Sequence, residues 1–174
     1  MPIARVFAAF AALQLATGTA SAQGAKATDP QIAHIAYTAG VIDIKAAKLA
    51  LGRSKNKEVI AFAKDMVRDH GAVNQKALAL VKKLKVTPED NDTSRSLVQK
   101  ADEDRATLSK LHGAEFDKAY ANNEVAYHKT VNGALETTLI PDASNPELKD
   151  LLSTGLKIFQ GHEQHAEHLV ETLK

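Results

Sequence analysis

Cysteine is missing from all 174 positions, and tryptophan is missing too. The chain can carry neither a disulfide nor a thiol-linked lipid, so core packing alone, or a bound metal, has to hold its fold. Neither sign of charge is in excess: 22 lysines and arginines face 21 aspartates and glutamates. A near-neutral chain with interspersed signs lacks the electrostatic footprint of a nucleic-acid binder. No segment alternates apolar and polar residues over a strand's length, so no sheet is expected. There is no phosphate-binding loop, and no Ser-His-Asp or Cys-His set is apparent, which leaves hydrolase and kinase readings without support.

What is present points to helices. Aromatics are only 5%, whereas 44% of residues are hydrophobic and 25% charged. Alanine, leucine, lysine and glutamate dominate, a helix-forming palette with enough apolar mass for one core. The N-terminal residues read separately. Arg5 precedes an apolar stretch from Val6 to Ala16, too short to span a bilayer, and Ala20-Ser21-Ala22 supplies a small-x-small cleavage pattern. Residues 1–22 are expected to be a signal peptide, leaving Gln23 first. Residues 23–174 would then form a single bundle domain without a transmembrane segment, exported to the periplasm or associated with the outer membrane. A short membrane anchor is the competing reading, disfavoured because no stop-transfer segment follows.

Helical stripes fill the rest. Asp29-Pro30 reads as an Asp cap with proline at the first helical position, followed by Ile32, Ile35, Ala39, Ile42, Ala46 and Leu49 at three-four spacing up to Gly52. A second helix, capped by Asn56 or Ser54, carries Val59, Phe62, Ala63, Met66, His70, Val73, Ala77, Leu80 and Leu84. A loop covers Thr87 to Thr93. A weaker helix runs from about Asp92 to His112 and breaks at Gly113. The next carries Phe116, Tyr120, Glu124, Tyr127, His128, Val131 and Leu135. Pro141 to Asn145 is a turn, and Asn145-Pro146 starts a last helix with Leu148, Leu151, Leu152, Gly155, Phe159, His162, Ala166 and Leu169.

Loop lengths set the expected topology. The short connections at Gly52–Lys55 and Pro141 make two antiparallel pairs. The weak helix, at 1.5 Å per residue, can run back the length of the bundle, about 30 Å. Two antiparallel pairs joined by such a crossover form a ferritin-like four-helix bundle with an additional crossover helix. Counting rises along that frame puts His70, His128 and His162 in one mid-bundle layer, with Asp43, Glu124 and Met66 at nearly the same height.

One buried histidine is usually a satisfied core residue. Three from separate helices at one level are the pattern of a metal held between facing helices. The candidate ligands are His70, His128, His162, Glu124 and Asp43. Glu124 could instead orient the His128 ring, and Asp43 could pair on the surface with Lys45 or Lys48. Met66 reads as core filler, or as a ligand that would favour copper. His165 and His168 share the His162 helix and read as exposed, with His165 a possible outer ligand. His34 reads as surface. Asp65 and Asp69 read as partners of Lys64, Arg68 or Lys76.

Phe62-Ala-Lys-Asp-Met-Val-Arg-Asp-His70, Gly113-Ala-Glu-Phe-Asp-Lys-Ala-Tyr120 leading to His128, and the His162 region resemble an exported bacterial ferritin-like family of unknown function, its members often described as outer-membrane or periplasmic. The resemblance implies a ferritin-like bundle in the cell envelope and brings no settled activity. The chain departs from ferritins and di-iron oxidases at one point. The residues three before the histidines are Val67, Val125 and Phe159, so no Glu-x-x-His pair exists at the layer. A single His-rich transition metal, whether copper, iron or zinc, is the better fit, with no organic cofactor. The expected roles are metal sequestration or stress protection. A structural or partner-binding bundle and a metal-dependent oxidase are the alternatives.

Overall fold

The computed structural model describes residues 26–173, and the expected signal peptide lies outside them. Helix α1 (Asp29–Arg53) begins at Thr28, not Asp29: the Thr28 hydroxyl accepts from the Gln31 N–H, while the Gln31 side chain accepts from the Thr28 N–H. This capping box satisfies two otherwise free donors. Asp29, expected as the cap, is used elsewhere. Its carboxylate accepts from the backbone N–H groups of Ser144 and Asn145, at 2.7 and 2.9 Å. It thereby ties the start of the first helix to the turn before the last.

Helix α2 (Lys57–Leu84) is capped by Asn56, which accepts from the N–H groups of Glu58 and Val59. Lys85 ends it in the left-handed conformation. Helix α3 (Asp92–Leu108) is capped by Asn91 and is shorter than the sequence suggests. Helix α4 (Gly113–Ala134) starts at a glycine with φ of +56°, a turn that L side chains rarely adopt. It continues into a π-helical turn (Leu135–Leu139) and one further turn, α5 (Ile140–Asp142), where only an open turn was expected. Asn145 then caps α6 (Pro146–Thr172), with Pro146 at its first position.

The described residues contain no strand, and the architecture is an all-α bundle. Contacts at the helix ends fix its topology. Glu89 donates its N–H to Pro30 and the Asn91 amide donates to Gln31, so α3 starts beside the start of α1. Arg53, at the end of α1, donates to the Leu111 carbonyl beyond the end of α3. Helix α3 therefore runs alongside α1 and returns the chain, so that α4 is parallel to α2. Lys83 pairs with Glu147, and Thr172 donates to Glu58, which sets α6 antiparallel to α2.

Two apolar clusters divide the interior. One holds Phe62, Met66, Phe116, Tyr120, Ala166 and Leu169. The other holds Ile32, Ile35, Leu135, Leu139, Leu148 and Leu152. Burying each large side chain contributes roughly 1.5–3 kcal/mol. Between the clusters lies a polar layer.

Candidate metal centre

Four helices each place at least one polar side chain in that layer. Asp43 comes from α1, His70 from α2, Glu124 and His128 from α4, and His162 from α6; all are buried. The stripe positions explain the histidines, since each continues the inward face of its own helix. Glu124 and His128 are one turn apart and share a face. Asp43 has a different origin. It follows Ile42 and would face outward on a helix packed on one side only. Helix α1 is covered by α2, α3 and α4 together, so Ile42 and Asp43 are both interior.

The three imidazoles converge. Their ring centroids are 5.3, 5.6 and 5.7 Å apart, and one nitrogen from each lies within 4.8 Å of the others. Asp43 Oδ2 is 3.3 Å from His70 Nε2 and 3.4 Å from His128 Nε2. These are close approaches without hydrogen-bond alignment, because both Asp43 oxygens and both nitrogen atoms remain unpartnered. Asp43, Glu124 and His128 form a second converging set.

Two of the rings are oriented from behind. His128 Nδ1 is 2.9 Å from the Glu124 carbonyl oxygen, to which it donates, leaving Nε2 with its lone pair free. His162 Nε2 is 3.0 Å from Asp69 Oδ2, and the Nδ1 atom of the same ring is buried without a partner. Asp69 was expected on the surface with Arg68. It does bind Arg68, at 2.7 Å, but its second oxygen reaches the layer. The sequence clue was its position, next to His70 at the rim of the stripe. His70 is held differently: Phe159 stacks on it at 4.3 Å with the planes 6° apart. Phe159, three residues before His162, thus supports a ligand candidate.

Burial decides the protonation of the layer. It pushes the Asp43 carboxyl from 3.8 up to about 8. It raises Glu124 well above the usual carboxylate range, with the Asp43 charge adding to the effect. Burial lowers His128 to about 4, partly offset by the Glu124 carbonyl. It drives His70 well below 6.5, helped by the charges of His128 and His162. His162 is lowered by burial against the pull of Asp69. At neutral pH the layer is therefore uncharged imidazole beside protonated carboxyl. Tyr120 and Tyr127 are raised well above 10 by burial and by the same two carboxylates.

The remaining candidates stand apart. Met66 is fully buried in the aromatic cluster beside Phe62 and Tyr120. His165 and His168 are exposed, although the His165 ring meets Phe62 edge-on at 5.0 Å. His34 is half-buried near the start of α1. Lys45 and Lys48 are exposed and do not pair with Asp43.

Fold and site together define a class: a helical bundle with a histidine–carboxyl layer buried in its core. The comparisons place it more closely. The family model described as "Domain of unknown function (DUF4142)" matches residues 14–169, and the chain belongs to that family. No curated protein matches the chain. Among solved structures, CopM in the Cu(II)-bound form is similar, with a TM-score of 0.65 and 11% identity over 86% of this chain and 99% of that one. That likeness shows a shared helical fold. Among the described residues, no helix is long and apolar enough to cross a membrane.

Proposed function

We propose that this protein binds a single transition-metal ion at His70, His128, His162 and Asp43, with Glu124 and Asp69 orienting two of the rings. The observation that carries the reading is the set of buried, unpartnered donor atoms meeting from four helices. Buried polar groups are ordinarily hydrogen-bonded, because leaving one unpaired costs about 1–3 kcal/mol. Here three imidazoles converge, each with an unpartnered nitrogen, and the unpartnered Asp43 carboxyl lies against two of them, so a cation among them would supply the missing partner.

The donor chemistry fits. Neutral imidazole is the form that ligates, and burial keeps all three rings neutral. A ring whose far N–H is held by a carbonyl or carboxylate is the usual arrangement behind a metal ligand, and His128 and His162 both have it. Ion–nitrogen distances of roughly 2.0–2.1 Å require the rings to draw together by about an ångström. Copper, zinc and iron all suit imidazole and carboxylate. The copper-bound state of the similar CopM structure makes Cu(II) the first ion to test. When bound, the ion would supply positive charge and a Lewis-acidic or redox centre. The chain's own residues bind it, exclude bulk water from it and hold the ring protons away from it.

The role that fits a sealed, single-ion site is sequestration or stress protection in the cell envelope, after export directed by residues 1–22. The test is metal analysis of exported protein against the triple variant His70→Ala, His128→Ala, His162→Ala. Stoichiometric metal in the parent and less than a tenth of that in the variant is the expected result. Metal-free parent under copper, zinc and iron loading would leave the layer a structural device. The N-terminus of the exported chain should read Gln23.

A further inference from the structure

Beside the polar layer the bundle is hollow. A cavity of about 330 Å³ lies among the apolar side chains of the half of the core beyond His70 and His128. Small residues help keep it open: Ala36 and Ala39 on α1 and Ala77 on α2 line it where larger side chains would narrow it. The opposite half, with Phe62, Phe116 and Tyr120, carries its aromatic bulk instead.

The shape of the cavity follows from its walls. They run from His70 to Val81 on α2, from His128 to Leu139 on the α4 side, and from Leu148 to Phe159 on α6. Each run is eleven residue steps, or roughly 16 Å. Spread over that length, the volume describes an elongated bore rather than a rounded chamber. A long, apolar space of this kind matches an extended hydrocarbon chain better than a compact ring system. The walls are almost entirely carbon, and apolar chambers of about 150 Å³ already stay dry and take up apolar guests. The volume lies within the range of about 300–1,000 Å³ typical of small-molecule sites. The exposed lining residues Thr93 on α3 and Thr130, Ala134 and Thr138 on the α4 side mark a mouth between those elements.

We propose that this cavity binds a single medium-length acyl chain, tail inward towards the imidazoles and polar head at the threonine-lined mouth. The tail enters first because a charged head would lose its water among carbon walls, whereas the mouth offers hydroxyl groups and solvent. The acyl chain could come from a free fatty acid or from a membrane phospholipid. The proposal does not depend on metal occupancy.

The test is calorimetric titration of the full chain with sodium dodecanoate, run beside phosphatidylcholine vesicles. One saturable dodecanoate site per chain is expected. Ala77→Phe, which puts a ring into the bore, should weaken binding at least tenfold, and Leu78→Ser, on the exposed side of α2, should not change it. Should Ala77→Phe fail to fold, Ala134→Trp at the exposed mouth serves the same purpose and should slow or weaken uptake. Vesicle binding that dodecanoate competes away assigns the phospholipid chain as the source and supports the site. Absent or non-saturable dodecanoate binding, or equal binding by the filled variant, would overturn it.

Discussion

Asp43 is the residue on which the layer turns. It is the carboxylate nearest two imidazoles, and its burial has a measurable consequence. Its folded pKa of about 8 lies above the ordinary 3.8, so the stability it contributes is complete below pH 3.8 and lost as pH rises through 8. Glu124 is shifted in the same direction. His128 runs the other way: lowered from 6.5 to about 4, its contribution is present above pH 6.5 and lost as pH falls through 4. Between pH 6.5 and 8 only the carboxylates are still changing. Chelator-treated protein should therefore lose stability across that window, with Asp43 alone accounting for up to about 1.4 kcal/mol per pH unit. Asp43→Asn should flatten the loss, read from denaturant midpoints at successive pH values. The same protonated carboxyl predicts that metal binding at pH 7 releases about one proton, visible as calorimetric heats that vary with the buffer's ionisation enthalpy.

At the scale of the element, the helices meet where side chains are smallest. A methyl group on Gly40 would lie 2.4 Å from Asn74 Oδ1. The Asn74 amide is itself buried and donates to the Tyr37 carbonyl at 3.4 Å, so it cannot swing away without losing that contact. Gly40→Ala should destabilise the protein by about 1–3 kcal/mol through separation of α1 and α2. That lowers the melting temperature by roughly 2–4 °C per kcal/mol. Close packing of these two helices also sets the distance from Asp43 to His70. The same variant should therefore weaken metal binding, although residue 40 touches none of the candidate ligands.

For the whole molecule, the layer sits between two apolar clusters and joins the four helices at mid-height. An ion there would act as a cross-link present only in the folded state. At a free metal concentration 100 times Kd, binding adds about 2.7 kcal/mol of stability. The expected readout is a melting temperature about 5–10 °C higher with metal than without, a gain absent from the triple histidine variant. A gain that persists in the variant would place the metal elsewhere, for instance at exposed His165 and His168.

Period and spacing in the sequence already determined the helices, their inward stripes and the pairing of α1 with α2 and α4 with α6. These are properties of one helix or one short loop, written in consecutive residues. The convergence of His70, His128 and His162 was legible for the same reason, because each histidine continues its own stripe and rise per residue fixes its height. Other features depend on what lies across from a residue. Whether Asp43 faces the core or a lysine was settled by α3 covering α1. Whether Asp69 stays with Arg68 or also reaches His162 depends on how α6 is rotated against α2. Thr28 rather than Asp29 became the first cap because the turn at Ser144 and Asn145 needed the carboxylate. The cavity follows from several small residues on separate helices aligning at one height, and their distances apart along the chain give no sign of it. Only three-dimensional packing brings such partners together, since the energy of a contact depends on neighbours that the local sequence does not specify.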